Sequence, residues 1–187
     1  MIDYTKGYIM IDLFSGIVAP FLLSHSIIQS IVQDKKAGNF ILTNHSMNPY
    51  FEWGEVQIFV NWAYNAVITS LMIVIFSVMF NKSFTTLLVF NILNLLFVAT
   101  LSYIFARNFS ETLTYVLNVG AIIISLIARV PLFDKPMLLV PPTWEIRFNV
   151  LTSYNPKNFG IAVLIFVVSN VSLMVLNYLI SKTRSLA

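Results

Sequence analysis

The chain has 187 residues, of which 58% are hydrophobic and only 10% are charged, with a net charge of +3. A soluble domain carries roughly 25% charged residues, so this composition excludes a water-facing surface of ordinary size. Lys and Arg sit in short connections and form no basic face, which argues against nucleic-acid binding. The chain has no Cys, which excludes disulfides, cysteine metal sites and thiol catalysis.

A membrane span needs about 20 apolar residues. The first candidate is Tyr8–Val32, which contains Asp12, Pro20, His25 and several Ser. Met1-Ile2-Asp3-Tyr4-Thr5-Lys6 has no basic cluster and no small-residue cleavage site follows, so Tyr8–Val32 reads as a retained helix rather than a signal peptide. Pro20 is expected to kink it. Asp12 is expected near the outer surface, in water.

A polar stretch, Gln33–Glu55, follows. It opens with Gln33-Asp34-Lys35-Lys36-Ala37-Gly38, continues through Asn39-Phe40-Ile41-Leu42-Thr43, and turns at Asn44–Pro49. Asn48-Pro49 suits the start of a helix. Tyr50, Phe51 and Trp53 suit an aromatic belt. The stretch reads as a short helical elbow at the membrane surface, against the plainer alternative of a solvated connection.

Three further spans follow at Val56–Phe80, Phe84–Ala106 and Thr112–Val130. Asn91 and Asn94 lie three apart, on one face of the third span. Asn118 falls in the fourth. Polar groups inside spans are functional candidates. The competing reading is interhelical hydrogen bonding, worth about 1 kcal/mol or less per bond. His25, near the middle of the first span, is open to both readings.

The second polar stretch, Pro131–Asn158, is too long for a tight helix–helix turn. Pro136 and Pro141-Pro142 break any continuous helix. Thr143 can cap a short helix from Trp144 to about Thr152, with Trp144, Phe148 and Leu151 on one face. That aromatic face predicts a helix dipping into the membrane interface. Asn155-Pro156 ends it. The last span is Phe159–Ser181, containing Asn170 and Asn177. The fold class expected is an all-α integral membrane protein, a single transmembrane domain with a bundle of about five transmembrane helices.

Charge bears on orientation. With Gln33–Glu55 on one side, Lys35, Lys36, Arg107, Lys182 and Arg184 share that side. Lys6, Lys82, Arg129, Lys135, Arg147 and Lys157 lie opposite. The full count, five against six, settles no orientation, and the rule counts a loop of this length. Only by setting aside the long second stretch and Arg129 at its edge does the elbow side become the more basic, and on that choice it is expected to be cytoplasmic.

This order of parts resembles the permease subunit of ABC-2-type (type V) transporters. There a helix descends to the cytoplasm and continues into a coupling segment of the form Glu-Arg-Glu-x-Gly-Thr, then an apolar stretch, a Thr-Pro turn and the next span. Asp34-Lys35-Lys36-Ala37-Gly38-Asn39, then Phe40-Ile41-Leu42-Thr43, occupy that place. Pro141-Pro142-Thr143-Trp144 through Tyr154-Asn155-Pro156 is similar to the family's extracellular stretch of short helices before its last span. The family has six spans with an amphipathic helix before the first, so the chain is expected to be a short form lacking that first part.

The resemblance implies a non-catalytic transport subunit in the cell membrane. Asp34, Lys35, Lys36, Gly38, Phe40 and Leu42 would couple to a separate ABC ATPase subunit. His25, Asn91 and Asn94 are candidates for the translocation path. A second permease chain, identical or related, is implied. No G-x-x-x-x-G-K-[ST] phosphate cradle is present, so no cofactor is expected on this chain, with ATP held by the partner. No H-E-x-x-H or G-x-S-x-G is present either. Two other classes remain open: a stand-alone membrane immunity or binding protein with no ATPase partner, and a channel or ion-coupled carrier, whose charged pathways and repeats are not visible.

Overall fold

A computed structural model describes residues 10–37, 49–80, 84–127 and 141–185. The elements there are α1 (Met10–Lys36), α2 (Pro49–Phe80), α3 (Thr85–Asn108), α4 (Glu111–Ile127), α5 (Trp144–Tyr154, preceded by a 3-10 turn at Pro141–Thr143) and α6 (Asn158–Ser185). No strand occurs among the described residues. Four helices are long and apolar enough to cross a membrane: Met10–Lys36, Gly54–Phe80, Thr85–Asn108 and Asn158–Ile180. α4 is apolar but shorter, at 17 residues.

The helix boundaries follow local chemistry. Ser110 starts α4: its hydroxyl accepts the Leu113 N–H at 3.2 Å and its carbonyl the Thr114 N–H at 3.1 Å. Asn155 and Pro156 turn the chain into α6, with the Asn155 side chain accepting the Lys157 N–H at 3.1 Å. Pro20 lacks an N–H and cannot close the bond to residue 16. α1 accommodates it by widening into a π turn at Phe14–Val18, where the Ala19 N–H reaches back to the Phe14 carbonyl.

α3 is the central post. Along its apolar window 61% is buried, against 17% for α2 and for α6. One face of α3 joins Leu23, Ile27 and Ile31 of α1 and Ile58 of α2 through Leu95, Ala99 and Tyr103. Another joins Trp144 and Phe148 of α5 and Phe166 of α6 through Phe90. A third cluster ties Leu87 and the preceding Phe84 to Ile11 and Ile73. The outer faces are apolar: Val60, Tyr64, Val67, Leu71 and Val78 on α2 and Leu164, Val168, Val171 and Leu179 on α6 are exposed. Apolar stripes of that extent suit hydrocarbon rather than water. The architecture is that of a helical membrane protein.

Candidate functional site: a buried carboxyl held by two amides

α5 is packed inside the bundle. Trp144, Glu145, Ile146, Arg147, Phe148 and Asn149 are all buried. Trp144 and Phe148 meet Phe166 edge-on, each with ring centroids 5.5 Å apart, and Phe90 stacks on Phe166 at 6.0 Å. Trp144 and Phe148, expected from the sequence to turn into the membrane interface, seat instead against α3 and α6, because Phe90 and Phe166 supply an aromatic pocket there. The other side of the same turn carries Glu145 towards α1 and α3.

Glu145 is 1% exposed. Asn91 Nδ2 donates to Oε1 at 3.2 Å and Asn94 Nδ2 to Oε2 at 2.9 Å. The three-residue spacing of the two amides places both under one carboxyl. Asn91 Nδ2 also donates to the Ser15 carbonyl at 3.1 Å. Ser15 lies in the π turn of α1, so a carbonyl loosened from the regular ladder is captured by α3. Gly16, next in that turn, lies against the Ile146 side chain.

Burial pushes the Glu145 carboxyl up to about 7. The Ser15 hydroxyl and the Asn94 and Asn91 amides pull the other way, and the like charge of Asp12 adds to the rise. Asp12 is itself 9% exposed, not solvated as the sequence suggested, because α1 turns it into the bundle. The oxygens Asn91 Oδ1 and Asn94 Oδ1 are buried without a hydrogen-bond partner.

Asn94 also lines a cavity between α1, α3 and α4, along with Gly16, Pro20, Phe97, Asn118 and Ser125. Asn118 Nδ2 is buried and unpaired, while its Oδ1 accepts from Ser102 at 3.3 Å. Ser102 in turn pairs with Ser24 at 2.8 Å. Asn170 Nδ2 donates to the Leu93 carbonyl at 3.3 Å, joining α6 to α3.

The translocation-path candidates divide. Asn91 and Asn94 belong to the Glu145 cluster. His25 does not: its Nδ1 pairs with the Tyr115 hydroxyl of α4 at 2.7 Å, and Gln29 Nε2 donates to that same hydroxyl at 3.0 Å.

The coupling candidates also divide. Asp34, Lys35 and Lys36 form the last turn of α1. Gln57 of α2 donates to Asp34. Lys35 Nζ donates to the Ala106 carbonyl of α3 at 2.8 Å. Lys36 is exposed. Close by, Gly54 of α2 approaches the Tyr103 hydroxyl of α3, which accepts from Arg107 at 3.5 Å. Gly38, Phe40 and Leu42 lie outside the described residues, as does the side chain of Leu151.

Glu145 was not among the residues singled out from the sequence. The available signal was indirect: two amides at helical spacing in a span need a partner, and an acidic residue in a Pro-capped helix beside two aromatics can supply one. Among the described residues, no group of three or more His, Cys, Asp or Glu gathers to hold a metal ion. Comparison with family models, curated proteins and solved structures finds no match to this chain.

Proposed function

We propose that the chain is the membrane-spanning permease subunit of an ATP-driven exporter of the ABC-2 type. In this reading it is a multi-pass protein of the cell membrane, with α4 completing a set of five spans. The Lys36 end of α1 faces the cytoplasm and the α5 end lies outside. ATP is bound and hydrolysed by a separate ATPase subunit, and two permease chains enclose the path. The cargo is an amphipathic molecule such as a peptide or drug.

The observation that carries this reading is the bracing at the end of α1. Asp34 is held by Gln57 of α2, and Lys35 by the Ala106 carbonyl of α3. A push on the segment after Lys36 would therefore reach three helices together instead of bending one. Lys36 is left outward for a partner, and Phe40 and Leu42 would fill a groove on it. ATP-driven closure of two ATPase subunits would rock two such braced units and change the side to which their shared cavity opens.

Purification of the chain from detergent-solubilised membranes tests this. An ABC ATPase should accompany it, and cargo export into inverted vesicles should stop without ATP. Recovery of the chain alone, with undiminished activity in ATP-free vesicles, would contradict the proposal and favour a stand-alone binding or immunity protein.

A further inference from the structure

The Glu145 cluster has too many hydrogen-bond acceptors. With the carboxyl ionised, Asn91 and Asn94 spend their donors on its two oxygens and on the Ser15 carbonyl. Asn91 Oδ1 and Asn94 Oδ1 remain as oxygens with no donor. A buried polar group without a partner is costly, and a buried charge without a counter-charge more so.

Among the described residues, the charge that acts on the Glu145 carboxyl is of like sign. α1 brings the carboxyl of Asp12, a like charge. α3 brings the two amides, and α4 brings Asn118 at the adjoining cavity. On α6 Asn170 is a neutral amide whose Nδ2 donates to the Leu93 and Phe166 carbonyls. On α5 itself Arg147 stands two residues further along. One proton on the carboxyl repairs both faults: it removes the charge and supplies a donor.

The geometry points to a proton-binding site at Glu145, built by Asn91, Asn94 and Ser15 and reached through the cavity between α1, α3 and α4. The cavity offers about 30 Å³ to the centres of water-sized molecules. One water needs about 10–15 Å³ on that measure, plus polar partners. Asn94 Oδ1 and Asn118 Nδ2 are the unpaired acceptor and donor available to it. From Asn118 the polar thread continues through Ser102 to Ser24. Glu145 sits in the first turn of α5, so its proton also sets how firmly that helix is held to α1 and α3. Burial, which lifts the carboxyl to about 7, places the exchange near neutral pH.

Infrared titration of the full-length chain in lipid nanodiscs tests this, following the protonated-carboxyl band from about pH 4 to about pH 9. An ordinary Glu ionises at about 4.3. One band should persist well above that and vanish around 7, and it should be missing in Glu145→Gln. Asn94→Leu removes a donor to the ionised form and should move the midpoint upward. Asn118→Leu, which leaves the Glu145 contacts in place, should slow deuterium exchange of the carboxyl. A band lost in the ordinary carboxylate range, or one that survives Glu145→Gln, would overturn the site. So would an unmoved midpoint in Asn94→Leu, a readout that serves even where Glu145→Gln does not fold. Unchanged exchange in Asn118→Leu would overturn the route. A midpoint that falls as sodium is added at constant ionic strength would overturn the proton as ligand in favour of a metal cation.

Discussion

Asn94 donates to Glu145 Oε2 at 2.9 Å across 51 residues of sequence, joining the central post of the bundle to the short helix before the last span. Asn91 repeats the contact one turn earlier. Removing one of these donors strands a buried carboxyl oxygen, which costs about 1–3 kcal/mol. Asn94→Leu should therefore lower the thermal unfolding midpoint in detergent, and more at pH 8 than at pH 5, because the ionised form needs the donor most. Equal losses at the two pH values would show that the amide acts through packing alone.

Glu145 also sets a pH dependence for the whole fold. Its carboxyl binds a proton more tightly folded than unfolded, rising from the ordinary 4.5 to about 7. The stabilisation from that raised affinity is complete below about 4.5 and lost as pH rises through about 7. The unfolding midpoint should fall across that window in the native chain and stay flatter in Glu145→Gln. A native profile no steeper than the variant's would argue against the raised affinity.

Gly54 and Tyr103 make a steric prediction. A methyl at Gly54 would overlap the Tyr103 ring and hydroxyl, so α2 and α3 would have to part. Gly54→Ala should destabilise by about 1–3 kcal/mol. Gly120→Ala and Gly160→Ala meet nothing within 4 Å and sit inside helices, where Ala is favoured by about 1 kcal/mol. Urea or thermal unfolding of the three variants should give opposite signs. Matching signs would count against the close α2–α3 approach.

Phe166 is fully buried and touches Trp144, Phe148 and Phe90. Phe166→Ala should cost about 3–5 kcal/mol, and the loss should fall on α5. Proteolysis after Tyr154 should become faster in the variant than cleavage near Asn108. Uniform acceleration at both places would mean that α5 does not depend on this pocket in particular.

Much of the bundle was legible because an apolar run of sufficient length needs no tertiary information. The apolar runs Val56–Phe80, Phe84–Ala106 and Phe159–Ser181 fall on helices α2, α3 and α6, although α2 begins back at Pro49 and α6 runs on to Ser185. The shared face of Trp144 and Phe148 was legible from spacing. What that face meets was not, since Phe90 and Phe166 come from distant helices. Asn91 and Asn94 announced themselves as polar residues in an apolar setting. Glu145 did not, because a carboxyl between proline-rich turns reads as solvated until the fold brings α3 beside it. Pro20 signalled a disturbance in α1, but the π turn and the carbonyl it frees depend on Asn91 being near.

Lys35 and Lys36 separate two effects of charge reversal. Lys35 holds the Ala106 carbonyl, so Lys35→Glu should weaken both ATPase association and the α1–α3 junction. Lys36 is exposed, so Lys36→Glu should weaken association with little change in the unfolding midpoint. Coupled ATPase activity that is unaltered in Lys36→Glu would remove this residue from the proposed contact.

The side of the membrane on which α1 ends decides the transport reading most directly. The natural chain has no cysteine, so Lys36→Cys carries a single reactive thiol. Treated with a membrane-impermeant maleimide, that thiol should stay unlabelled in intact cells and label fully once the cells are opened. Full labelling in intact cells would put the end of α1 outside, beyond reach of any cytoplasmic ATPase, and would contradict the account.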